Sequence, residues 1–354
     1  MVAGWLGEVA GTPWRTAARR HPPAALLTVL AALSLLASLA PGSSRPLTPL
    51  RFASSQTPGD QSLYMAVTAA ISAGAPYYPT VVRLQRERGY PLRPFVTVRP
   101  PTLAIVSATL GPTGTFALAL GLIASNAIAW YVRLRGGPAI VRFGALGLLS
   151  AIGAAGISPE VLAAHEWWSG LLLSLALALG PERWFAAAVA CGVAAALVRE
   201  LATGFLVVLL AHELLRAAWR RAAVLVGVLL GLAVLLLLHR AAILDLTTPG
   251  DRASPGWLDW RGPAGFASDL VVFLNWTWLP RPLTLFVAFS PLVGWALAPP
   301  AAGRLPLAWF ACFALAEGFI ARADNWYWVQ LLMPAYLLGW LFLATQFQLR
   351  MTAA

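Results

Sequence analysis

RAAVLVGVLLGLAVLLLL, residues 221–238, carries one charge, on its first residue, and is otherwise wholly non-polar. A helix needs roughly 17–25 apolar residues to cross the hydrocarbon core of a bilayer. Comparable runs recur at 24–40, 113–132, 140–157, 166–180, 184–198, 201–215, 284–302, 305–321 and 326–346. Together they predict an all-α, polytopic membrane protein of about ten transmembrane helices, organised as a single membrane domain over 1–354. The runs between 166 and 215 are near the lower limit of length, which predicts tilted or partly re-entrant helices.

Composition agrees. The chain is 59% hydrophobic and 11% charged, where a soluble domain carries about 25% charge. The net charge is +11, and every basic residue is arginine. The absence of lysine excludes lysine nucleophiles and Schiff bases. Arginines scattered between apolar runs, not gathered in one patch, exclude nucleic acid as a partner. Cys191 and Cys312 fall inside apolar runs and read as small buried residues, and the four histidines lack zinc spacing. Arg15, Arg19 and Arg20 precede the first run, and Ala37-Ser38-Leu39-Ala40 follows it like a cleavage site. The length of the run and the spans that follow predict a retained signal-anchor helix.

Orientation follows from arginines in the short connections. Arg15, Arg19 and Arg20, then Arg133, Arg135 and Arg142, then Arg183, then Arg216, Arg220 and Arg221, then Arg304 and Arg350 fall on one side. The short connections opposite carry only Arg199 and Arg322. The first side is therefore expected to be cytoplasmic, with both termini inside. Asp60, Arg99, Glu160, His165, Glu166, Arg199, Glu200, Arg322 and Asp324 then collect on the outer side. Of the 14 acidic residues, only Glu8, Glu182 and Glu213 stay on the cytoplasmic side.

Two long outer loops remain, 41–101 and 239–283. Loops of this length are usually functional. In the first, Thr57-Pro58-Gly59 is a turn and Asp60 opens a helix, with Leu63, Val67, Ala70 and Ile71 on one face and Gly74 at its end. A second helix over 80–88 sets Val81, Val82 and Leu84 beside Arg83, Arg86 and Arg88. Both are expected to lie in the interface plane. The second loop holds Trp257, Trp260, Trp276 and Trp278, and 266–279 is expected to rest on the membrane surface.

The ordered set resembles the integral-membrane glycosyltransferases of the GT-C class. It comprises Gly59-Asp60-Gln61-Ser62-Leu63-Tyr64, Tyr77-Tyr78, Arg99-Pro100-Pro101, His165-Glu166-Trp167-Trp168-Ser169-Gly170 and Arg199-Glu200. It covers roughly 24–216 and looks closest to small bacterial members without a soluble C-terminal domain. The resemblance implies transfer of a sugar from a polyprenyl-phosphate donor to a lipid or glycan acceptor. It also implies a bacterial inner membrane, a periplasmic active site and a role in the cell envelope.

On that resemblance Asp60 is the catalytic carboxylate, accepting a proton from the acceptor hydroxyl; helix capping is its structural alternative. Arg99 is expected to neutralise the carrier phosphate, or else to snorkel. Arg199 and Arg322 are further phosphate candidates, or ion-pair partners of Glu200 and Asp324. His165 and Glu166 begin a span; Glu166 is expected to bind a sugar hydroxyl, with the helix dipole as its structural explanation. Tyr77 and Tyr78 are expected to stack on sugar or seat the lipid, or to anchor in the interface. A divalent metal held by Asp60 and Glu166 is the one cofactor left open. Competing functions are a lipid-linked-glycan flippase or transporter, a glycan polymerase, and a non-catalytic member of the fold.

Overall fold

The computed structural model describes residues 23–38 and 59–351. The basic cluster Arg15, Arg19 and Arg20, residues 39–58 and the turn residues Thr57 and Pro58 lie outside them. The described residues are all-α. They contain no strand, only an isolated bridge between Arg93 and Ala253.

Helix α1 (Pro23–Ser38) precedes the two helices of the first long loop, α2 (Asp60–Ser72) and α3 (Tyr77–Glu87). The bundle follows as α4 (Thr102–Arg133), α5 (Ala139–Ala155), the short α6 (Pro159–Leu162), α7 (His165–Leu179), α8 (Pro181–Val198), α9 (Thr203–Leu215) and α10 (Trp219–Leu244). It closes with α11 (Gly262–Phe273), α12 (Arg281–Leu297), α13 (Pro300–Ile320) and α14 (Gly339–Met351). Four helical segments, Phe95–Arg133, Pro181–Val198, Trp219–Leu244 and Pro300–Ile320, are long and apolar enough to cross a membrane. A fifth counts if the bent pair Ala323–Leu332 and Ala335–Gln348, which turns by 63°, is one span. On α10, Leu230, Val234, Leu237 and Leu238 point outward and exposed, as lipid-facing side chains would.

Helices fall at nine of the ten expected runs, and the departures have physical causes. The run expected from 113 is the second part of α4, which begins at Thr102 and kinks at Gly111 (φ 65°), just before Pro112. That positive φ is open to glycine alone at no steric cost, and proline removes the helical hydrogen bond beside it. The tenth run is not an α-helix through its first half: Ala323–Leu332 and Ala335–Leu338 are 3₁₀ turns. Irregular backbone at membrane depth is stable only when wrapped in protein, and Leu331 to Leu338 are buried throughout. The Trp295 indole N–H donates to the Tyr336 carbonyl at 3.0 Å. Gly170 lets the segment approach α7: a Cβ there would stand 2.1 Å from the Gln330 carbonyl oxygen.

Two expectations about the second long loop are corrected. Of the segment 266–279 expected on the membrane surface, the first part belongs to α11 and is inside, with Phe266, Leu270 and Val271 fully buried, whereas Trp278 beyond it is exposed. Arg261 forks onto Asp269 at 2.5 and 3.0 Å, which neutralises the one acid on that helix. The loop expected from 239 starts later, because α10 runs to Leu244. Helices α2 and α3 pack on each other, and Leu63, Val67, Val81, Val82, Leu92 and Ile243 form their own small core.

The two long loops are knitted together. Leu92 N–H donates to Arg252 O (2.9 Å) and Ser254 N–H to Arg93 O (2.7 Å). Arg86 grips Asp251 through two bonds of 2.6 and 2.9 Å. The Arg86 guanidinium, with the Thr248 amide, holds the Asp251 carboxyl well below the usual carboxylate range. A carboxyl more acidic in the folded state contributes stability that is fully present above about pH 4 and lost as pH falls further. Asp251→Asn is therefore expected to cost about 1.5–3 kcal/mol at neutral pH and to flatten the acid limb of stability. Thermal unfolding in detergent at pH 7 and pH 3 tests this; an unchanged pH 7 midpoint would refute it.

Candidate active site

The site forms where the two long loops meet the bundle. Gly59, in extended conformation, stands at the N-cap of α2, so Asp60 is the first helical residue and not the cap. One turn on, Tyr64 shares its face. Tyr90 hydrogen-bonds to Asp60, and burial together with that carboxylate pushes its phenol up to about 12. Tyr90 therefore stays a proton donor to Asp60 and fixes its direction.

Arg99 precedes Pro100-Pro101, which open α4. The Tyr77 hydroxyl donates to the Arg99 carbonyl at 2.6 Å. The Arg99 side chain donates to Tyr64 Oη (3.1 Å) and Tyr327 Oη (3.4 Å). Burial pushes the Tyr64 and Tyr77 phenols well above their ordinary value, so both are neutral hydroxyls in the site. The His165 ring stands edge-on to Tyr64, 4.7 Å between centroids.

Behind Arg99 lies an ionic ring. Arg199, at the end of α8, donates from Nε to Glu166 Oε1 at 2.6 Å and from Nη1 to Glu200 Oε1. Arg99 reaches the same two oxygens at 3.6 and 3.9 Å. Each carboxylate is thus shared by both guanidiniums. Arg199 also lies over the Trp328 ring at 5.9 Å. Arg322 pairs with Asp324 at 3.0 Å and donates to the Pro255 carbonyl at 2.8 Å.

Asp60, Tyr64, Arg99, Arg199, Glu200 and Arg322 line one cavity of about 480 Å³, within the roughly 300–1,000 Å³ of small-molecule sites. A second, apolar groove of about 410 Å³ runs along α10, bounded by Pro100, Pro101, Leu197 and Leu236. Glu200 lines both. That carboxylate is a wall common to the cavity and the groove.

Four of the expected site residues, Asp60, Arg99, Arg199 and Arg322, come together in the cavity. Glu166 does not line it; the two arginines take up its carboxylate. Tyr77 and His165 line a narrow crevice behind Arg99. Tyr78 faces the groove, where its hydroxyl meets His239 Nδ1 at 3.2 Å. Asp60 and Glu166 thus do not form a carboxylate pair in the cavity, and among the described residues no group of three or more His, Cys, Asp or Glu is placed to hold a metal ion. Tyr64, Tyr90 and Tyr327 were given no site role by the sequence, and Glu200 only that of an ion-pair partner to Arg199. The first carried a usable signal, since it lies four residues after Asp60.

Compared with protein-family models, curated proteins and solved structures, the chain matches none.

Proposed function

We propose that this chain is a membrane glycosyltransferase of GT-C type that takes a sugar from a polyprenyl-phosphate donor. The observation that carries this reading is the junction at Glu200. A polar cavity lined by carboxylates and guanidiniums shares Glu200 with an apolar groove along the exposed apolar helix α10. A ligand that fits both is amphiphilic, with an anionic head and a long hydrocarbon tail.

In this reading Asp60, aimed by Tyr90, takes the proton from an acceptor hydroxyl. The acceptor oxygen bonds to the anomeric carbon as the bond from that carbon to phosphate oxygen breaks. Arg99 and Arg322 stabilise the negative charge that the departing lipid phosphate gains. Ten spans follow if the shorter helices α1, α5, α7, α9 and α12 cross the bilayer with the four longer ones and the bent pair. The charge pattern supports that topology. Glu182, His212, Arg216 and Arg221 gather at the end opposite the cavity, and positive-inside bias makes that end cytoplasmic. The cavity then faces the periplasm of a bacterial inner membrane.

The test is transfer in reconstituted proteoliposomes, using polyprenyl-phosphate sugars with glycan and glycolipid acceptors. Transfer that needs both donor and protein is the expected result. Movement of labelled donor across the bilayer with no transfer to any acceptor would replace this reading with a flippase.

A further inference from the structure

The carboxylates of the ionic ring are not equivalent. Glu166 is 4% exposed, begins α7 and is bonded to Arg199 at 2.6 Å. Glu200 is 20% exposed, begins a short 3₁₀ turn and stands at the junction of cavity and groove. Its second oxygen, Oε2, is buried without a hydrogen-bond partner, a costly state for a carboxylate. The more deeply buried partner is Glu166; the one that lines the cavity and the groove is Glu200.

We infer that Glu200 is an internal substitute for the donor phosphate, covering Arg99 and Arg199 until a lipid phosphate displaces it. The inference rests on the cavity being a lipid-phosphate site and adds how that site is kept and emptied. Two guanidiniums against two carboxylates make the ring neutral while no ligand is bound, which a low-dielectric wall requires. When Glu200 swings aside, Arg99 and Arg199 against Glu166 leave one positive charge. That matches the single negative charge of a sugar-phosphate diester. Transfer turns the diester into a monoester, with about −1.5 to −2 charge at pH 7. The nearby Glu200 carboxylate then repels the product and competes for the same guanidiniums, so it favours release. A neutral lipid cannot make this exchange, so the carboxylate also selects for an anionic head.

An internal competitor lowers apparent affinity by the fraction of sites it occupies. Glu200→Gln keeps the shape of the side chain and removes the competing charge. The experiment compares binding of a short-chain polyprenyl phosphate, inorganic phosphate and neutral polyprenol to the purified full chain in nanodiscs. We expect Glu200→Gln to bind polyprenyl phosphate more tightly, on the order of tenfold, with polyprenol unchanged. Product release in the transfer assay should slow. A matching gain for inorganic phosphate would place the recognised group in the phosphate alone; a gain confined to the lipid would show that the groove contributes. Both are consistent with displacement. Equal or weaker binding of polyprenyl phosphate by Glu200→Gln than by the wild-type chain overturns the inference while the lipid-phosphate site stands. Binding by neither chain overturns that site and the inference with it. If Glu200→Gln is too unstable to purify, polyprenyl phosphate added during extraction should restore its melting temperature; failure to do so counts against displacement.

Discussion

Asp60→Asn is expected to lower sugar transfer by ~10²–10⁴-fold while leaving donor binding intact. Asparagine keeps the size of the side chain and an oxygen for the Tyr90 hydroxyl, so the cavity wall is preserved. What it loses is the ability to take a proton. Because Gly59 stands at the N-cap of α2, the substitution removes no cap, and the fold should be unaffected. Turnover and donor affinity measured separately in nanodiscs distinguish the roles. Full turnover by Asp60→Asn would end its assignment as base. Arg99→Ala should lose donor affinity as well as turnover, because it meets phosphate charge already present in the bound donor.

Glu166→Ala should have the largest effect on stability. Arg199 is 2% exposed and donates to Glu166, which is itself 4% exposed, at 2.6 Å. Breaking a buried pair by removing one partner costs about 3–5 kcal/mol, because the other charge stays buried. The expected result is a sharp fall in melting temperature and yield, with Glu166→Gln partly rescued by its remaining carbonyl. Double replacement of Glu166 and Arg199 by apolar residues of similar volume should recover much of the loss. A melting temperature for Glu166→Ala matching the wild type would mean that Glu200 alone neutralises Arg199.

Much of the bundle was legible because its signal is simple. Long uncharged runs such as 221–238 have one stable environment, and arginine spacing marks the ends. Two elements were not legible. Helix α11 begins Gly-Pro-Ala-Gly and contains Asp269, whose burial depends on partners from elsewhere in the chain, among them the fork from Arg261. The 323–338 passage is as apolar and aromatic as its neighbours, and its 3₁₀ form depends on close approach to α7 at Gly170. In the site, charges on a nearly uncharged chain stood out, so Asp60, Arg99, Arg199 and Arg322 were found. Which acid faces inward was not visible: Glu166 and Glu200 are each one bond from Arg199, and only packing separates them. Tyr77 and Tyr78 were expected to act together. Neighbours on an α-helix diverge by about 100°, so one supports Arg99 while the other meets His239 in the groove.

The ten residues Ala323–Leu332 also set a ruler inside the bundle. A 3₁₀ turn rises about 2.0 Å per residue and repeats every three, so side chains stack in straight columns. One column holds Asp324, Tyr327 and Gln330; its first two members line the polar cavity, and the third lines a separate apolar space of about 320 Å³ beside Trp167. Removing one residue would turn every later column by about 120° and take Tyr327 away from Arg99. Adding three would restore all columns, shifted by about 6 Å. No small insertion does that in an α-helix, whose repeat is not a whole number. Length along this passage is therefore counted in threes, and chain length, more than side-chain identity, sets how deep the phenol reaches.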